Sequence, residues 1–142
     1  MGRRLEPAFA VLAAAAALVL GAAGPTVKEE MKAVVEPTTN LIFAVGGEVD
    51  PSNGPDAAKV KPDRWQAAAE AAAKLKAVGS ALLAPDQARP GEEWTKDAKQ
   101  LHDLAETVET AAKARDGAKL SQAANDLGDN CTACHGKYKT QS

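Results

Sequence analysis

The chain has 142 residues, 25% of them charged and 45% hydrophobic, with a formal net charge of −2, which is the balance of one small globular domain and not of a disordered or collagen-like chain. No block of Lys and Arg offers the electrostatic footprint that phosphate-backbone binding requires, so no nucleic acid is expected as a partner. Two cysteines are too few for a disulfide-stapled miniprotein or a four-thiolate zinc or iron–sulfur site, and 4% aromatic residues leave little to fill a core.

Residues 1–23 read as a signal peptide. Arg3 and Arg4 precede an uncharged, alanine-dominated run from Pro7 to Leu20, and Gly21-Ala22-Ala23-Gly24 supplies the small residues for cleavage after Ala23. The apolar run falls short of the ~20 residues of a spanning helix, and Leu5 and Glu6 do not continue a twin-arginine signal. The expectation is a protein exported to the periplasm by the general route, with no membrane attachment after cleavage. The mature domain, 24–142, then loses Arg3, Arg4 and Glu6 and carries a net charge of about −3.

The rest of the chain shows no strand pattern and four stretches of helical period. Thr26-Val27-Lys28-Glu29 fits a capping box that opens the first helix. Its apolar seam is Val27, Met31, Val34, Thr38, Leu41 and Val45, and Pro37 is expected to kink or break it. From Gly46 to Lys61 the text is rich in Gly, Pro, Asn and Asp and reads as a long connection. The second helix has the seam Trp65, Ala68, Ala72, Leu75, Val78 and Leu82. The third starts near Gly91, places Glu92 and Glu93 where the helix dipole favours negative charge, and has the seam Trp94, Ala98, Leu101, Ala105, Val108 and Ala112. After Asp116-Gly117 the last helix has the seam Leu120, Ala124, Leu127, Cys131, Cys134 and Tyr138, which puts both cysteines on the inward stripe. Short links between the second, third and fourth helices predict an all-α, antiparallel four-helix bundle.

The segment that carries chemistry is Cys131-Thr132-Ala133-Cys134-His135. On a helix, positions i, i+3 and i+4 share a face, so two thiols can reach neighbouring haem vinyl groups while the imidazole reaches the iron. Cys131 and Cys134 are the expected thioether links and His135 the proximal axial ligand of one covalent haem c in the last helix. Export agrees, since such haem is attached outside the cytoplasm. A thioredoxin-type dithiol would sit at a helix start after a strand, and no strand is on offer. Zinc would crowd Cys131, Cys134 and His135 into one trio, with His102 as a fourth ligand. A Cys131–Cys134 disulfide would strain a helix and leave His135 unexplained.

A leader, four helices and a CxxCH near the C-terminus resemble cytochrome c′, the class II c-type cytochromes. Gly128 three residues before Cys131, the ending Tyr138-Lys139 and Arg89-Pro90 shortly before Trp94 add to the resemblance. Gly128, at a cost of about 1 kcal/mol relative to alanine in a helix, suits a helix that passes close to a flat ring. Tyr138, one turn beyond His135, reads as packing against haem or simply in the core. Lys139 reads either as a basic residue near the proximal imidazole or as a surface lysine.

The resemblance implies that the first helix places a residue above the other iron face. In some relatives this is a coordinating methionine, and in others a non-coordinating apolar side chain. Met31, the only methionine left after signal removal, fits that place, and a thioether there would raise the reduction potential. Val27 stands where many relatives carry an arginine. His102 is the other histidine of the chain. The expected function is non-enzymatic: a monohaem c-type cytochrome carrying single electrons between redox protein partners. The alternative is a five-coordinate haem protein that binds NO or CO in a pocket of Met31, Val34 and Val35. The family also contains dimers formed through the first two helices, and Trp65 suits either such an interface or the core.

Overall fold

Local chemistry starts and stops each helix. The computed structural model describes residues 24–139; the expected signal segment lies outside them. Thr26 caps α1 (Val27–Glu30): its N–H donates to Glu29 Oε2 at 2.8 Å and its hydroxyl oxygen accepts from the Glu29 N–H at 3.3 Å, the reciprocal arrangement expected of a capping box. A π turn, Met31–Val35, leads directly into α2 (Glu36–Glu48), with right-handed helical angles at Met31, Val35 and Glu36. The three segments form one rod.

Of the two outcomes expected at Pro37, a kink or a break, the structure shows no break. A proline ring collides with the carbonyl four residues back in a regular α-helix. Here the wider turn comes immediately before it, with the Glu36 N–H donating to the Met31 carbonyl five residues back. The Thr38 and Thr39 hydroxyls each donate at 2.7 Å, to the carbonyls of Val34 and Val35. One extra residue in the turn shifts the buried line: Val35, Ile42 and Val49 are buried, whereas Leu41, expected inside, is half-buried. The connection that follows also departs from expectation. It starts only after Glu48 and contains 3₁₀ structure over Pro51–Lys59, interrupted at Gly54, whose φ of 74° suits glycine.

Helix α3 (Pro62–Ala81) opens with a proline, where the missing N–H costs nothing. Helix α4 (Glu92–Ala114) ends on Arg115 in the left-handed region, and Asp116 caps α5 (Gly117–Tyr138) by accepting from the Lys119 N–H at 3.0 Å. All the expected seam residues of α3 and α4 are buried. On α5, Leu120, Ala124 and Leu127 are buried, but Cys131, Cys134 and Tyr138 are half-buried.

Contacts run in opposite order along neighbouring rods, as an antiparallel bundle requires. Lys76 meets Glu109 at 2.6 Å while Gly79, nearer the end of α3, abuts His102. Between α4 and α5, Lys137 meets Glu93 at 2.9 Å and Asn130 meets Asp97 at 3.2 Å. Gly46 of α2 packs on Ala124 and Leu120 of α5, and Gly117 on Val49. Small residues at these crossings bring the helices close and compensate for the scarcity of rings. Among the described residues there is no strand, and none of the helices is long and apolar enough to cross a membrane.

Candidate haem-attachment site

The site is assembled at one end of the bundle. The chain enters there at Pro25, whose carbonyl accepts from the Gln87 side chain at 2.7 Å, just beyond the end of α3. At the same end the Trp94 indole N–H donates to the Leu82 carbonyl at 2.7 Å. Trp94 in turn meets Tyr138 edge-on, with ring centroids 5.0 Å apart and planes at 89°. The start of α1, the end of α3, the start of α4 and the end of α5 thus converge where Cys131, Cys134 and His135 lie. Met31, one turn into the first rod, is at that end too, half-buried against the core.

Helix α5 divides its functional residues between two faces. The line Asn130, Cys134, Lys137 looks toward α4: the Asn130 amide donates to the Asp97 carbonyl, and Lys137 pairs with Glu93. The line Gly128, Cys131, His135, Tyr138 runs alongside, one step around the axis. A Cβ built on Gly128 would meet no atom within 4 Å, and the same holds at Gly136. Gly128 sits two turns before His135 on the same face, with Cys131 and Thr132 between them and the Thr132 hydroxyl donating to the Gly128 carbonyl at 3.0 Å, so the backbone is open to a flat ring at Gly128 itself. His135 itself is exposed and has no side-chain hydrogen bond among the described residues.

The electrostatics separate the sulfurs from ordinary surface thiols. Burial pushes both thiols above their usual range, and at Cys134 the negative charges of Asp97 and of Cys131 add to this. Such sulfurs are shielded nucleophiles in an apolar setting. They are free cysteines and not joined to each other. Two partly buried thiols, a neighbouring free imidazole and an open glycine face form a donor set that fits a covalently held haem, with Cys131 and Cys134 as its attachment points and His135 as its nitrogen ligand.

Asp97 and Asn130 belong to the site, and sequence reasoning missed both. Asp97 is 5% exposed, and its Oδ2 is buried without a hydrogen-bond partner among the described residues. Neither residue lies on a predicted apolar seam, and a polar residue between seam positions carries no signal of burial. His102 is placed against Gly79 of α3, with Nδ1 3.1 Å from Asp103 Oδ1. Tyr138 takes up the Trp94 contact, and Lys139 is exposed at the helix end.

Residues 89–139 match the family model described as cytochrome C′. The matched stretch covers α4, α5 and the turn before them, hence Trp94, both cysteines and His135. No curated protein and no solved structure gave a match. The family match and the all-helical bundle agree in supporting the cytochrome c′, or class II c-type, family.

Proposed function

Taking the cytochrome c′ family as premise, we propose that this chain is a monohaem c-type cytochrome that carries single electrons between redox protein partners in the periplasm. The observation that carries the reading is the half-buried pair Cys131 and Cys134 with His135 free beside them on a face left open at Gly128. Bound haem supplies the one-electron ferric/ferrous couple. The protein's own residues do the rest. Cys131 and Cys134 fix the ring to α5, and His135, held one residue beyond Cys134, is oriented by the same helix. Leu127 and the Trp94–Tyr138 pair give the end of the bundle apolar surface against which a ring would pack. A rigid, apolar support of this kind would restrain reorganisation when the charge on the iron changes. The reading is of a carrier rather than an enzyme.

Met31 is the proposed second axial ligand. It lies at the correct end, on the inward side of the first rod, and its thioether is a soft donor. A second reading, binding of NO or CO to five-coordinate iron, draws on the apolar Val34 and Val35 next to Met31. Optical spectra of the reduced holoprotein separate the two. The carrier is expected to be low-spin and indifferent to CO, and Met31→Ala is expected to make it high-spin and CO-binding. A wild-type protein that is already high-spin and shifts with CO supports gas binding instead.

A further inference from the structure

We infer that Pro37 is a positioning residue for Met31: by forcing the π turn, it rotates the start of the first rod and so sets the flank from which Met31 reaches the haem end of the core. The inference rests on the reading of Met31 as an axial ligand.

Downstream of the turn the buried line is Val35, Ile42, Val49, one residue every two turns. Continuing that line backwards along an unbroken α-helix puts Lys28 on the inward side, with Met31 and Lys32 straddling it. The structure has something else: Lys28 and Lys32 are exposed, Val27, Met31 and Val34 are half-buried against the core, and Glu30 is half-buried beside them with its Oε2 unpartnered among the described residues. The difference is one residue. A π turn accommodates one more residue than an α turn, and each residue turns the helix by about 100°. Everything before Val35 is therefore rotated by that amount relative to a regular helix. Met31 passes from one flank of the inward line to the other, and two lysines are turned out of the core.

Pro37 is the residue that makes the wider turn favourable. It has no N–H to give to the Ala33 carbonyl, and its ring would strike that carbonyl in a regular helix. The turn spans the residues immediately before it, and the Glu36 N–H is bonded to the carbonyl of Met31 itself. The Thr38 and Thr39 hydroxyls, donating to Val34 and Val35 carbonyls, satisfy carbonyls at the end of the turn. With alanine at 37 the N–H returns, the clash disappears, and the regular helix regains its ladder at no cost in hydrogen bonds. Deletion of the exposed Ala33 removes the extra residue directly and tests the same point by a second route.

The experiment compares wild-type, Pro37→Ala, Ala33-deleted and Met31→Ala holoproteins by reduced-state spectra with and without CO, with far-ultraviolet circular dichroism as the check on folding. Pro37→Ala and the deletion are expected to stay helical and to bind CO at least tenfold more tightly than wild type, approaching Met31→Ala. The inference is overturned if Met31→Ala becomes high-spin while Pro37→Ala, fully helical, keeps a low-spin spectrum and ignores CO. A wild type indistinguishable from Met31→Ala shows instead that Met31 is no ligand, and the inference falls with that reading. Should Pro37→Ala fail to fold, the deletion decides, by the same two outcomes.

Discussion

Asp97, like Glu30, holds a buried oxygen that its surroundings do not balance. A carboxylate placed in the α4–α5 seam gives up its hydration, and its Oδ2 finds no donor in return. Its backbone carbonyl already satisfies Asn130, so a change of side chain leaves that bond in place. Asp97→Leu removes the uncompensated oxygen and fills a similar volume. We predict a gain of about 1–3 kcal/mol in unfolding free energy, read from urea denaturation of the holoprotein. A loss of stability would mean that the carboxylate has a donor in solution. Met31 presents the opposite situation: a side chain tolerated anywhere in a core, whose position alone gives it a role.

At the scale of elements, the close crossings of the rods set the fold. A Cβ at Gly79 would lie 2.8 Å from the His102 backbone nitrogen and 2.9 Å from its Cα, and backbone cannot yield as a flexible side chain does. Gly79→Ala should therefore destabilise by about 1–3 kcal/mol through overpacking, despite the roughly 1 kcal/mol that alanine gains over glycine in a helix. Gly47→Ala, on the same kind of helix but with nothing within 4 Å, should show the propensity gain alone. Chemical denaturation of the pair checks both, and equal effects would contradict the crossing argument.

The α3–α4 interface also carries a titratable element. Glu109 accepts from Lys113 at 2.5 Å and from Lys76 at 2.6 Å, and these bonds, Lys113 first, hold its carboxyl below the ordinary value of 4.5. A depressed acid binds its proton less readily in the folded state than in the unfolded state, so its contribution is complete above 4.5 and fades as pH falls through the lowered value. Stability measured from pH 7 downward should decline in that window, and Glu109→Gln should make the decline shallower. Parallel acid limbs for the two proteins would assign the loss to other carboxylates.

Over the whole molecule, the seams of α3 and α4 were readable because each repeats without interruption, so every position that periodicity placed on them is buried, although Ala69, Ala71, Gly79, Asp97 and Ala111 are buried beside them. The first rod was not readable in the same way. Pro37 signals a disturbance of the helix, but the sequence does not specify whether the chain breaks or inserts a residue, and the insertion moved burial from Leu41 to Ile42. The attachment motif was legible because the spacing of Cys131, Cys134 and His135 is itself the geometry. Asp97 and Asn130 were not, since only the approach of α4 to α5 buries them.

The account stands on a haem bound through two sulfurs to the last helix. The most direct measurement is the intact mass of the holoprotein, produced with export and haem-attachment machinery, together with its Soret absorption. The wild-type chain should weigh one haem more than its polypeptide after denaturation and absorb strongly. Cys131→Ser/Cys134→Ser should weigh the polypeptide alone. A colourless wild type at the bare polypeptide mass would contradict the account.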